Sequence, residues 1–266
     1  SRMDYLSAHI NNHACAMCVE KGLQVEVPPR ARVIRVLMDE LTRIASHELW
    51  WGAMAMDLGA FTPFFHAFRE RESINDIMEE TCGARLTMNY MVPGGVMQDI
   101  HPNFQRRVKE FIQLYKRKIH EYDEMVTGNI IFQNRMNGVG YLSKEDAISY
   151  GCTGPTGRGS GLSCDIRKLY PYEIYDKLEF DEVIETGGDS FSRYMVRIRE
   201  MQQSIGIIEQ LIDNIPEGDF QAKTKAVLKP PKGEFYSKVE TARGELGVYI
   251  VSEGATTPYR IKFRSP

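Results

Sequence analysis

One stretch constrains the fold more than any other. From Arg30 to Asp57 there is no proline and no glycine before Gly52, and Val33, Ile34, Leu37, Leu41, Ile44 and Ala45 recur at three- and four-residue spacings. That period is the signature of one buried helix face. Pro28-Pro29 stands where a helix tolerates proline, at its first turn. A helix of this length runs on the order of 40 Å at ~1.5 Å per residue. It carries both tryptophans near its far end, and it belongs in the middle of a bundle.

Other helices are legible around it. Tyr5–Lys21 reads as a helix stopped by Gly22. Thr62-Pro63 opens one that continues to Glu80 and ends near Gly83. Asn103–Thr127 carries Phe104, Val108, Phe111, Ile112, Tyr115, Ile119 and Tyr122 on one face. Ser143 with Asp146 caps a short helix ending at Gly151, and Asp189–Asn214 places Met195, Ile198, Met201, Ile205 and Ile208 at helical spacings. The tail changes period. Phe235–Thr241, Glu245–Ser252 and Pro258–Phe263 are rich in β-branched and aromatic residues, separated by Ala242-Arg243-Gly244 and Glu253-Gly254-Ala255, as in an antiparallel meander. The expected class is α+β, predominantly α: a long-helix bundle with a small C-terminal antiparallel β meander. It divides into a helical core over 1–215 with a glycine-rich loop near 151–161, a Lys- and Pro-rich linker over 216–232, and a β region over 233–266.

Charge and composition exclude some functions. The net charge of −3 gives no whole-chain attraction to nucleic acid, so no nucleic-acid partner is expected. The most apolar stretch, Leu49–Phe68, is interrupted by Gly52, Asp57, Gly59 and Pro63, and falls short of the ~20 uninterrupted apolar residues of a membrane span. The opening residues lack a basic head followed by an apolar run, so no secretory leader is expected there. Five cysteines, an odd number, argue against a disulfide scaffold and for a reducing compartment.

Several motifs invite a chemical reading. His9, His13, Cys15 and Cys18 include an i, i+4 histidine pair and a C-x-x-C. At about 100° per residue the two histidines share a face while the cysteines point away, so one ion cannot take all four. The expectation is two buried thiols, two histidines on a polar face, and no metal. Gly154–Gly161 resembles a phosphate loop, but Gly159 precedes Ser160 where the motif requires lysine. It reads as a loop whose backbone packs closely on its neighbours. Asp57 closes the apolar run LWWGAMAMD, where a carboxylate is expected to be paired, hydrogen-bonded or protonated, the alternative being a helix C-terminal Asp exposed to water. Its sign is also wrong for a helix C-terminus. Arg69-Glu70-Arg71-Glu72 reads as a solvated or inter-subunit salt-bridge face, and Pro93-Gly94-Gly95-Val96 as a turn and nothing more.

The strings RMDYLSAHINNHA, MDLGAFTPFFHAFRERE, GARLTMNYMVPGGV, DIRKLYPY and TARGELGVYIVSEGATTPYRIKFRSP, in this order along the chain, resemble the D subunit of the proton-pumping NADH:quinone oxidoreductase of respiratory chains (respiratory complex I). That family is itself similar to the large subunit of nickel–iron hydrogenases. The resemblance implies that Tyr5 hydrogen-bonds one carbonyl of a quinone headgroup. It implies that Asp57 orients a histidine carried on a strand hairpin upstream, and that His47 lines the same region. It further implies an acidic segment downstream of Pro266 that helps build the cavity. Quinone is then the substrate. No cofactor is bound by this chain, while NADH and the iron–sulfur clusters lie on partner subunits. The implied partners are the iron–sulfur B subunit, the C and I subunits, and the membrane-embedded H subunit. The implied location is peripheral, on the cytoplasmic face of a bacterial inner membrane.

Two rival readings have their own signatures. A nickel–iron hydrogenase-like large subunit needs cysteine pairs near both ends, ahead of the first helix and near the C-terminus. Here Cys15 and Cys18 fall inside the first helix, and no C-x-x-C stands near the C-terminus. A non-catalytic docking scaffold of a membrane-bound redox complex needs no site at all.

Overall fold

The chain order explains itself from the longest helix outward, in a computed structural model that describes residues 3–266. After a single 3-10 turn over Tyr5–Ser7 come α1 (Ala8–Leu23), α2 (Pro29–Asp57) and α3 (Thr62–Cys82). A two-residue hairpin follows, β1 (Met91–Val92) against β2 (Gly95–Val96). Then α4 (Phe104–Tyr122) runs directly into a π-helical turn, Asp123–Thr127. Short helices α5 (Ile130–Met136), α6 (Lys144–Ser149), α7 (Gly154–Arg158) and α8 (Ile166–Leu169) lead to the long α9 (Ser190–Ile212). Strands β3 (Gly233–Thr241), β4 (Gly244–Ser252) and β5 (Arg260–Arg264) close the chain as an antiparallel meander in the order β3-β4-β5. The predominantly α architecture with a C-terminal meander is therefore present.

α2 is the axis. It packs on α3 along one side, on α9 along another and on α1 along a third. Leu37, Leu41 and Ile44 are fully buried, so the periodic face does what its spacing predicts. The helix begins at Pro29, one residue before the expected start, and ends on Asp57 as expected. The predicted apolar face of α4, from Phe104 to Tyr122, is also buried throughout.

Several expectations need correction. The first helix starts as a 3-10 turn. It stops at Gln24, whose backbone is left-handed (φ +54°), rather than at Gly22. Gly22 lies inside α1, where a Cβ would stand 3.1 Å from the Phe235 ring. Its value is close approach to β3, and helix-stopping is left to the next turn. The two histidines of α1 are not on a polar face: His9 and His13 are both fully buried, because α1 lies between α2 and the sheet and its faces there meet protein. Within the glycine-rich stretch, Gly154–Arg158 form the short helix α7, and the backbone packs closely on its neighbours as expected. Glu70, read as part of a solvated face, is buried beside Arg69. The 93–96 turn closes the β1–β2 hairpin, and its Gly94 N–H donates to Glu20. Within 216–232, Phe220 packs on the core, and residues 220 and 222 hydrogen-bond to Val96 and Gly94.

Among the described residues no helix is long and apolar enough to cross a membrane.

Candidate functional site

Tyr5 is presented by a turn that the local sequence builds tightly. The Asp4 side chain caps it by accepting the Leu6 N–H at 3.1 Å. The Asp4 carbonyl accepts the Ser7 N–H at 3.1 Å and the Asn11 Nδ2 at 2.6 Å. The backbone is thus anchored while the phenol stays 55% exposed. It opens on a cleft of about 360 Å³, lined by Asp4, Ala8, Asn11, Asn12, Thr87 and Met88 among others. Asn12 Nδ2 donates to the Met88 carbonyl at 2.7 Å and fixes that wall. Thr87 holds a left-handed backbone (φ +55°). A β-branched residue takes that conformation only under constraint, and such strain clusters at working sites. The cleft therefore offers a phenol, amide donors and acceptors, and an apolar floor.

Asp57 is not paired within the described residues. It is exposed on the last residue of α2, where Leu58 and Gly59 turn the chain and Arg135 Nη1 donates to the Leu58 carbonyl at 2.7 Å. The expectation that its apolar run forces a partner on it fails, because α2 carries it past the packed region into solvent. Nor do Tyr5 and Asp57 stand side by side. Arg243 links Asp4 to Ser46 of α2, which sets the Tyr5 turn at the level of Ser46. Asp57 lies about three helical turns, ~16 Å, further along.

His47 faces the interior. It is 2% exposed, and its Nε2 meets Glu200 Oε2 at 3.0 Å. Burial lowers its pKa to about 4 despite Glu200, so it is neutral near pH 7. It does not line the Tyr5 cleft.

What His47 joins is a buried charge cluster that the apolar spacing concealed. Arg167 Nη1 lies 3.1 Å from Glu40, and its Nη2 lies 2.7 Å from Asp165. Arg158 bridges Glu240, at 2.8 Å, and Glu200. Arg43 pairs with Glu40 at 3.2 Å, and Tyr175 and Ser204 donate to the same carboxylate, each at 2.6 Å. Burial opposes the charge on Glu40, but Arg43 and Arg167 outweigh it and hold its pKa down at about 2. At Glu240 burial wins, and the pKa is pushed up to about 7.

A second buried cluster ties α1 to α2. His13 Nδ1 lies 2.6 Å from Asp39, and Nε2 lies 2.9 Å from Glu173. Glu173 also takes Arg35, which pairs with Glu20 and donates to the carbonyls of Val92 and Gly95. Burial pulls the His13 pKa down, but Asp39 and Glu173 together raise it to about 9. Burial also pushes the Asp39 carboxyl up. The imidazolium is nonetheless the favoured form, because it has a carboxylate on each nitrogen. The four residues of the supposed metal motif go separate ways. His13 takes these carboxylates, His9 Nε2 lies 3.8 Å from Cys82 Sγ, and Cys18 Sγ points to the carbonyls of Phe235 and Val248, while Cys15, only half-buried where a buried thiol was expected, lines a separate cleft with Val19 and Ile250.

A helix bundle built on α2, with an exposed tyrosine at its flank and an antiparallel meander against α1, can be set beside known proteins. The family described as "Respiratory-chain NADH dehydrogenase, 49 Kd subunit" matches residues 57–231 and 224–266. This chain belongs to that family. Among its relatives is the C/D subunit of the NADH-quinone oxidoreductase of Bacteroides thetaiotaomicron, 57% identical over 264 residues, which cover 99% of this chain and 50% of that protein. The D subunit of the Geobacillus kaustophilus enzyme is 48% identical over 266 residues, covering all of this chain and 72% of that protein. The D subunit from Bacillus mycoides is 46% identical over 266 residues, covering 73% of its length. The chain spans about half the length of the C/D relatives it matches.

Proposed function

We propose that this chain forms the quinone-site part of a proton-translocating NADH:quinone oxidoreductase. In this reading it binds the quinone headgroup and helps protonate it as electrons arrive from an iron–sulfur cluster held by the B subunit. The observation that carries the reading is the Tyr5 phenol, exposed at a cleft of about 360 Å³ on a turn anchored through Asp4. Reduction of a quinone to a quinol takes up two electrons and two protons. A phenol O–H donates to a carbonyl oxygen and is suited to pass it a proton. Asp57, exposed and without a partner among the described residues, is open to an imidazole supplied by the upstream hairpin that the family resemblance implies. That imidazole would serve the second carbonyl. The ~16 Å along α2 between the two levels leaves room for a headgroup and an imidazole between them. His47 acts from the interior, supporting α2 through Glu200 rather than touching the headgroup.

The chain itself supplies binding, orientation and protons, and the redox groups sit on its partners. Those partners are the B, C and I subunits and the membrane-embedded H subunit. Relatives whose name joins C and D in one protein are consistent with the C subunit as a neighbour. The assembly places this chain peripherally on the cytoplasmic face of a bacterial inner membrane.

The test is NADH oxidation by the assembled complex, with quinone and then with ferricyanide as acceptor. Ferricyanide takes electrons early in the chain. Tyr5→Phe keeps the ring and removes one hydrogen bond, which becomes charge-assisted as negative charge develops on the quinone oxygen and is then worth roughly 1.5–3 kcal/mol, so the quinone rate should fall about ten- to a hundredfold. The ferricyanide rate should hold. An unchanged quinone rate removes Tyr5 from the site.

A further inference from the structure

The β3–β4 turn carries Arg243, which the proposed function does not use. Its guanidinium reaches residues from near the start of the chain. Nη1 donates to Asp4 Oδ2 and, at 3.4 Å, to Ser46 Oγ of α2. The other oxygen of Asp4 accepts the Leu6 N–H at 3.1 Å. One carboxylate therefore both caps the turn that bears Tyr5 and holds the arginine.

The arginine is itself seated. Its own N–H donates to Thr241 Oγ1 at 3.1 Å, and the same hydroxyl donates to the Gly244 carbonyl at 3.0 Å. The Glu245 N–H donates to Thr153 Oγ1 at 3.1 Å. Gly154 lies against the turn: a Cβ there would stand 2.4 Å from the Arg243 carbonyl oxygen, and its φ is +60°. Only glycine suits that position. The glycine-rich stretch that mimics a phosphate loop thus has a structural purpose. It lets the β3–β4 turn come close enough for Arg243 to reach Asp4.

We propose that Arg243 is a positioning residue for Tyr5, tying the Asp4-capped turn to α2 at Ser46 and so aiming the phenol into the cleft. The proposal rests on the reading of Tyr5 as a quinone ligand. Arg243 lies outside the set of residues lining the cleft and acts through Asp4. The ion pair is partly wet, with side-chain exposures of 45% and 20%. Pairs of this kind contribute little to overall stability, so its loss should loosen the turn without unfolding the bundle.

The experiment uses the assembled complex carrying Arg243→Gln, Arg243→Lys, Asp4→Asn or Tyr5→Phe, with ferricyanide reduction as the control for assembly. Two quantities are read: KM and kcat for a short-chain quinone, and amide hydrogen exchange at Leu6 and Ser7. Arg243→Gln should raise the quinone KM about three- to fivefold while kcat stays within about twofold, the scale of a weak ion pair. It should also speed exchange at both amides. Arg243→Lys should restore most of both. In a Tyr5→Phe background, Arg243→Gln should shift KM no further.

Unchanged exchange at Leu6 and Ser7 would overturn the proposal, as would a KM effect that adds in full to that of Tyr5→Phe. Faster exchange combined with wild-type kinetics for Tyr5→Phe would instead sink the quinone reading and leave the positioning role standing. If Arg243→Gln fails to assemble, Asp4→Asn decides, because Oδ1 remains to cap Leu6.

Discussion

The charges in the middle of α2 and the charge at its far end are treated in opposite ways. Around the middle of α2, Asp39, Glu40, Arg43 and Glu48 are fully buried. Asp39 and Glu40 meet opposite charges from other elements, Arg43 pairs with Glu40 on the same helix, and Glu48, which has no ion pair among the described residues, has its carboxyl pushed well up by burial and so sits neutral. At the far end of the same helix Asp57 is exposed and has no partner among the described residues. Buried ions have to be compensated, since an unpaired one costs several kcal/mol. Exposed ions have no such demand and remain available to something outside the chain. The interior set therefore locks elements together. The rim set, Asp57 with the Tyr5 turn, is where chemistry is to be sought.

The hardest test of that division is Arg167→Leu. The guanidinium spans Glu40 and Asp165, and removing it leaves carboxylates buried with too little positive charge. The expected loss is about 3–5 kcal/mol, read as a fall in the urea midpoint with unchanged slope. A loss below about 1 kcal/mol would mean that the cluster relaxes or takes in water, and the contrast with the rim would collapse.

The His13 cluster sharpens the contrast through pH. Its folded pKa is raised to about 9 from an ordinary 6.5, so the folded state binds the proton more tightly than the unfolded one. The resulting stabilisation is fully present below pH 6.5 and is lost as pH rises through 9. Its size is on the order of 3 kcal/mol at about 1.4 kcal/mol per pKa unit. Denaturation midpoints from pH 6 to pH 10 should therefore fall in wild type and stay flatter in His13→Gln. A His13→Gln variant with the same pH slope as wild type would place the titration elsewhere.

The smallest expected effect on stability is at the rim. Asp57→Asn removes an exposed, unpaired charge and should leave stability within about 0.5 kcal/mol. If the proposed quinone role holds, it should still slow quinone reduction in the assembled complex while sparing ferricyanide reduction. A large stability loss would show that Asp57 has a structural partner after all, and the two classes of charge would no longer divide as described.

Much of this was readable in the residues. The α2, α4 and α9 faces, the Ser143 cap and the β3–β4–β5 meander follow from local periodicity and capping chemistry. These are properties of near neighbours in the chain. The short α7 and α8 and the β1–β2 hairpin were not readable, because each has too few residues to carry a period. Tyr5 and Asp57 entered through family likeness, and the residues alone gave only Asp57's odd setting, whose explanation proved to be exposure.

The charge clusters show where local reading stops. Arg35, Asp39, Arg43 and His47 recur every four residues on α2, a spacing that on an ordinary helix marks a solvated stripe. Here that stripe is buried, because Glu173 meets Arg35, His13 meets Asp39, the Glu240 carbonyl meets Arg43 and Glu200 meets His47, all arriving from other parts of the chain. Which segments are helices and which are strands is written in 3.6- and 2-residue periods, so the order of residues settles it. Which charges are interior and which are free depends on long-range packing, because a buried ion is tolerable only once its partner is folded against it.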